Sequence, residues 1–202
     1  MPYKTMAPRT SVDENLPTLT SLSHSHPRNA THPQYIMALN SLKITTCLWF
    51  NGQAEEAAIF YTSIFPNSNI THIQRYTEAG RDKHGQEPGR VMVAQFDLDG
   101  HRFVGLNGGP QYQFNPAISF QIDCAGQQEV DYYWAKLGDG ADPTKQQCGW
   151  ITDRFGVSWQ VVPTRLKELM ASEDREGAGR ATEAMLKMKK LDVAELEKAF
   201  RG

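Results

Sequence analysis

Five polar side chains occupy positions where a ligand cleft would need them: Thr46, Ser119, Gln121, Ser158 and Gln160. Each lies in or beside a β-branched or aromatic run that reads as a strand. Hydroxyls and carboxamides both donate and accept hydrogen bonds without carrying charge. Strand side chains alternate between faces, so Thr46 shares a face with Ile44 and Leu48, and Ser119 and Gln121 share one with Ala117. Ser158 and Gln160 are expected to face the same space. A cleft lined this way and rimmed by aromatics suits a neutral or mildly polar organic ligand. The competing reading is that these groups satisfy one another, or water, inside a partly polar barrel.

Other reactive residue types carry less. Cys148, beside Trp150, has the chemistry of a nucleophile, but no histidine is near it in sequence, and lone cysteines are mostly packing residues. His72 and His101 fall on or near strands and read as solvent-facing groups ahead of bases or ligands. Arg81, Lys83, His84 and Arg90 make a charged loop that would attract an anion, although a solvated face is the commoner meaning.

The positioning elements follow from periodicity. Residues 44–50 read as a strand bounded by Asn51-Gly52. Ala54, Ala57, Ala58, Tyr61, Ile64 and Phe65 then recur at helical spacing. Strands follow over 70–76, 91–98 and 102–106, with a hairpin turn at Asp99-Gly100 and a polar loop over 77–89. The order then restarts: a strand over 117–123, a helix marked by Val130, Tyr133, Trp134 and Leu137, and strands over 148–153 and 157–162. The two halves superpose without a gap at a constant offset of 73 positions over strand and helix, placing Ile44 on Ala117 and Glu56 on Glu129. This predicts an α+β fold of paired βαβββ modules, about 42–110 and 115–163 within a domain spanning 41–163, with a cleft between curled sheets. Residues 164–202 form a helical tail too small to bury itself. It must pack on the barrel or on a partner subunit, and a homodimer is expected.

Composition narrows the class. Lys+Arg 21 against Asp+Glu 23 leaves net −2, without the basic excess of a nucleic-acid binder. No apolar run approaches the roughly 20 residues of a membrane span, so no membrane partner is expected. Cys47, Cys124 and Cys148 are odd in number and widely spaced, reading as reduced thiols. Residues 1–40 are Ser/Thr/His/Pro-rich without periodicity and read as a disordered extension. A cytoplasmic protein is expected. Arg9 and Arg28 would also suit a mitochondrial transit peptide, against which Asp13, Glu14 and the lack of an amphipathic face count.

Several motifs together resemble a known family. Leu48-Trp49-Phe50-Asn51-Gly52-Gln53-Ala54-Glu55-Glu56-Ala57-Ala58, then Phe60-Tyr61, Leu98-Asp99-Gly100, Gly105 to Pro110, Cys148-Gly149-Trp150 and Ala184 to Asp192 resemble the PhnB-like family. That family belongs to the vicinal oxygen chelate (glyoxalase/bleomycin-resistance) superfamily and is often labelled 3-demethylubiquinone-9 3-methyltransferase. The resemblance covers about residues 42–202. It implies a paired βαβββ fold, usually dimeric, around a small-molecule cleft.

The resemblance also implies four metal-ligand positions, two per module. By spacing they fall on Ile44, Ala117, Gln160 and near Val104. Aliphatic side chains cannot coordinate a metal and one amide is a poor ligand alone. No metal or other cofactor is therefore expected. Gly105 to Pro110 leads to another strand instead of a helix, so no S-adenosylmethionine site is visible. The leading expectation is a metal-independent small-molecule-binding protein, with turnover left open. The alternatives are a divalent-metal isomerase, lyase or dioxygenase using His72 or His101, and a metabolite- or antibiotic-sequestering module without turnover.

Overall fold

The computed structural model describes residues 43–202. The N-terminal extension and its transit-peptide reading lie outside the described residues.

Side chains that alternate between buried and more open positions along its central strands build the first sheet. Thr46–Phe50 (β1), Asn69–Arg75 (β2), Val91–Leu98 (β3) and His101–Asn107 (β4) assemble in the order β1-β4-β3-β2. The β1–β4 pair is parallel and the others antiparallel. The helix Ala54–Ile64 (α1) buries Ala54, Ala57, Ala58, Phe60, Tyr61 and Ile64. Within the polar 76–90 connection, Arg81–His84 forms a single helical turn (α2).

The second module repeats this plan with one strand fewer. Phe120–Cys124 (β5), Trp150–Thr152 (β6) and Ser158–Pro163 (β7) form a sheet ordered β5-β7-β6, with the helix Gln127–Leu137 (α3) packed on it. The β5–β7 pair is parallel, matching β1–β4. Among the described residues no strand corresponds to β2. The segment between α3 and β6 carries Gly138, Gly140, Pro143 and Gly149, forms a short 3-10 turn at Pro143–Lys145, and makes one bridge, Gln147 to Trp150. Proline cannot donate to a ladder and glycine weakens one, so this segment stays irregular.

The repeat has a slip that the sequence hides. Spacing 73 holds for the helices, laying Val130 and Leu137 on Ala57 and Ile64, all four buried. The strands obey spacing 74: Cys47 pairs with Val104, and Gln121 pairs with Gln160. The connection from β1 to α1 is one residue longer than that from β5 to α3. A one-residue slip turns every side chain of a strand to the other face.

One core joins the modules, and it lies between the helix-covered faces. Phe103 of β4 meets Phe120 of β5 edge-on at 5.2 Å, and Tyr61 packs against both Phe96 and Trp159. Leu48, Phe50, Phe96 and Phe103 from one sheet share this cluster with Ile151, Trp159 and Val161 from the other. The opposite faces turn away from it: Cys47, Gln121 and Asp123 are exposed. Within one chain the sheets therefore do not enclose a cleft between their open faces.

At the centre of the core lies a carboxylate. Asp153, 4% exposed, accepts hydrogen bonds from Tyr61 Oη at 2.7 Å and Trp159 Nε1 at 2.8 Å. The backbone amides of Phe155 and Val157 donate to its other oxygen. This network ties α1 of the first module to the β6–β7 hairpin of the second. Burial pushes the Tyr61 hydroxyl well above its ordinary pKa, and the neighbouring Asp153 charge adds to the rise.

The tail closes on itself. Thr164–Met170 (α4), Arg175–Met185 (α5) and Val193–Arg201 (α6) bury Leu166, Leu169, Ala181, Leu191 and Leu196 together, with Val162 of β7 against them. Asp174 and Asp192 accept from the Gly177 and Glu195 amides and cap α5 and α6. Helix α5 thus begins at Arg175. These apolar faces are covered within the chain, so they supply no argument for a partner subunit.

Candidate functional site

A cavity of about 860 Å³ opens where the end of β1, the 112–116 crossover and the open face of β6–β7 meet. The end of β1 brings Trp49, Phe50, Asn51 and Gln53 to it. The crossover between modules brings Tyr112, Gln113, Phe114 and Asn115. Strands β6 and β7 present Trp150, Thr152 and Ser158, with Thr152 opposite Ser158 in register. The irregular segment in place of the missing strand completes the wall with residues 144–148.

Ser158 is 3% exposed, borders this cavity, and its Oγ has no hydrogen-bond partner among the described residues. A buried hydroxyl without a partner costs about 1–3 kcal/mol. Native interiors rarely leave such a group unpaired without a reason.

The other four residues singled out by sequence lie elsewhere. Gln160 Nε2 donates to Ser119 Oγ at 2.9 Å on the open face of the second sheet. Gln121 is exposed opposite Gln160 and donates to Asp123. Thr46 sits on the other sheet, on its helix-covered face with Leu48 and Phe50, because of the strand slip. Neither Thr46 nor the Ser119, Gln121 and Gln160 group lines the cavity. What sequence reasoning missed was the crossover, where Tyr112 and Phe114 alternate with Gln111, Gln113 and Asn115. That alternation was the available signal.

A divalent ion of the kind implied by a glyoxalase-type fold does not fit these residues. Register places Cys47 beside Val104 on one open face and Gln121 beside Gln160 on the other, across the shared core. Among the described residues no three His, Cys, Asp or Glu side chains converge. His72 pairs with Gln95 on the open face, whereas His101 lies on the face of Phe103, its ring tilted against that ring at 5.8 Å. The two histidines belong to opposite faces of one sheet.

The thiols differ in environment. Burial pushes Cys124 up to about 12, with Glu129 and Asp123 adding to it. At pH 8 only about one Cys124 in ten thousand is thiolate, the reactive form. Iodoacetamide is therefore expected to spare Cys124 in the folded protein and to label it once urea is added. Labelling in the native state as fast as after denaturation, read by peptide mass, would contradict this. Cys148 lines the cavity with a backbone φ of +52°, its Sγ toward the Leu186 carbonyl at 3.7 Å. In the charged loop, Arg81 is engaged by Glu78 and Glu87, and none of Arg81, Lys83, His84 and Arg90 reaches the cavity.

The family model for 3-demethylubiquinone-9 3-methyltransferase matches residues 42–162. The chain belongs to this family. Among solved structures it is similar to a PhnB protein from Bacillus cereus, 36% identical with a TM-score of 0.52, across 60% of this chain and 98% of that one. It also resembles a Staphylococcus aureus protein at 32% identity and TM-score 0.26, across 58% and 92%. Protein PA1353 from Pseudomonas aeruginosa matches at 22% and 0.47, across 61% and 98%. Among curated proteins none matches. The shared architecture is the glyoxalase-type fold of PhnB-like proteins.

The name of this PhnB-like family speaks of methyl transfer, which needs a cofactor site. In this member Gly105 lies inside β4, where an added Cβ would come within 3.1 Å of Ala54 of α1. Gly108 lets the Trp49 ring lie flat against the backbone, and Trp49 Nε1 donates to the Gly109 carbonyl at 2.8 Å. These glycines make room for packing. They do not form the strand–turn–helix that cradles a nucleotide-type cofactor.

Proposed function

We propose that this PhnB-like chain binds a small organic molecule in the cavity beside β6–β7, using neutral polar groups and no resident metal. The buried, unpartnered hydroxyl of Ser158 carries this reading. Cavities of several hundred Å³ with mostly apolar walls and a few placed polar groups are the usual form of small-molecule sites. The donor set on the open sheet faces supports a metal-free mode of binding. Any chemistry at the site rests on orientation and hydrogen bonding by Ser158, Thr152 and the surrounding amides.

A thermal-shift screen of the full chain against metabolites and divalent ions tests the proposal. Ligands that bind the folded state raise the melting temperature by mass action. Organic hits are expected to quench tryptophan emission, and the quench should shrink in Trp150→Phe. Hits that leave Trp150 unperturbed would place the ligand elsewhere. One tightly held ion per chain in elemental analysis would overturn the metal-free part.

The same reading includes a homodimer. Strands β1 and β5 are sheet edges, and Ile44 and Ile118 beside them are 90% and 77% exposed. Exposed edges with apolar flanks favour pairing with another chain. Light scattering should return twice the 22.7 kDa chain mass. A monomer mass at high concentration would sink it.

A further inference from the structure

Resting on the cavity reading above, we propose that its ligand is a neutral, planar aromatic compound bearing one hydroxyl or carbonyl oxygen, and that this oxygen meets Ser158. The chemistry of the walls selects this class. Trp49, Phe50, Tyr112, Phe114, Trp150 and Phe155 border one space from three separate segments of chain. Aromatic walls reward flat rings through offset and edge-on contacts, beyond what area burial provides.

Charge is nearly absent from the same surface. The polar lining is carboxamide and hydroxyl: Asn51, Gln53, Gln113, Asn115, Gln146 and Gln147, with Thr144, Thr152 and Ser158. Among the described residues no Asp, Glu or His belongs to it, so a cationic ligand would find no counter-charge there. The one cation among the described residues of the lining, Lys145, is exposed to solvent. A solvated lysine repays little of the desolvation of a carboxylate or phosphate brought against aromatic rings. A neutral ligand avoids both costs.

Ser158 sets the polar point of attachment. Its hydroxyl donates one hydrogen bond and accepts two, so it meets either a phenolic hydroxyl or a carbonyl. It is buried and unpartnered, and its register neighbour Thr152 lines the same wall. A ligand oxygen placed there pairs a group that the protein leaves unpaired.

The test titrates the full chain with five probes, following tryptophan emission: 2-naphthol, 2-methylnaphthalene, decahydro-2-naphthol, 2-naphthoate and 2-naphthylmethylammonium. The aromatic alcohol is expected to bind about tenfold more tightly than its saturated counterpart, the gain expected for aromatic contacts. It should also outbind both ions. Ser158→Ala is expected to weaken 2-naphthol about five- to tenfold, the usual worth of one hydrogen bond, and to leave 2-methylnaphthalene unchanged. The variant should melt no lower than the native protein, since it removes a hydroxyl that bonds to nothing. If it misfolds, Ser158→Cys keeps the size, weakens the hydrogen bond and takes its place.

Equal binding of the saturated alcohol, tighter binding of either ion, or an unchanged 2-naphthol affinity in the variant overturns the ligand class. A charged probe that binds alone, with a quench that shrinks in Trp150→Phe, leaves the cavity as the site and removes only its proposed chemistry. Failure of all five probes overturns this ligand class, while the metabolite screen separately decides whether the cavity binds anything.

Discussion

Replacing Asp153 with alanine is expected to cost about 3–5 kcal/mol of folding stability, because it strips the acceptor from several buried donors that cost about 1–3 kcal/mol each when unpaired. Four donors converge on this carboxylate: Tyr61 Oη, Trp159 Nε1 and the amides of Phe155 and Val157. Alanine leaves all four buried and unpaired, and each unpaired group carries its own desolvation penalty. Asp153→Asn should cost less. Its carboxamide oxygen can still accept from the two amides, while its NH2 group faces the Trp159 donor. Tyr61→Phe should cost least, because it removes the donor along with its bond. Urea unfolding of the three variants checks the order. A loss under about 1 kcal/mol for the alanine variant would show that the network is incidental to stability.

The same residue sets a pH dependence with a definite sign. Burial raises the Asp153 carboxyl above the ordinary carboxylate range, with the Trp159 and Tyr61 hydrogen bonds opposing the rise. A raised value means that the folded state holds this proton more tightly than the unfolded chain does. Its stabilising contribution is then fully present below the unfolded value of about 4 and is lost as pH rises through the folded value. Subtracting the Asp153→Asn stability profile from the native one should expose a difference that falls with rising pH across that window. A flat difference would contradict the shift.

Gly108→Ala is expected to be nearly as damaging for a steric reason. A Cβ at this position would lie 2.1 Å from Cζ2 of Trp49, and no small adjustment relieves that overlap. The indole must swing away, breaking its hydrogen bond to the Gly109 carbonyl and its edge contact with Tyr112. Overpacking together with a lost, partly buried bond predicts about 2–4 kcal/mol. Because Trp49 walls the cavity, ligand-induced quenching should fall as well. Shrinking the ring with Trp49→Phe should make the second change, Gly108→Ala, markedly cheaper than it is alone. Simple additivity of the two would mean that the strain lies elsewhere.

Much of the architecture was legible in the chain. The alanine and aromatic spacing of residues 54–64 specified α1, and Asp99-Gly100 specified the β3–β4 turn. These are local signals, written within one turn or one strand. The missing strand before β6 was harder to read, because Gly138, Gly140, Pro143 and Gly149 weaken a ladder without forbidding it. The site was legible only in part. Ser158 was visible as a strand hydroxyl, but the sequence grouped it with Thr46 through an offset that is correct for the helices and wrong for the strands.

The amino-acid sequence by itself determined the family, the doubled module and the poverty of metal donors. These depend on residue identity and short-range periodicity alone. Only the tertiary structure decided which strand face meets the core, because one residue fewer in the β5–α3 connection inverts a whole strand and leaves its composition untouched. It also decided that the two sheets share their helix-covered faces, and so that Ser158 looks into a space walled by Trp49 and Phe114. Those residues are distant in sequence and are joined by packing that no local pattern encodes.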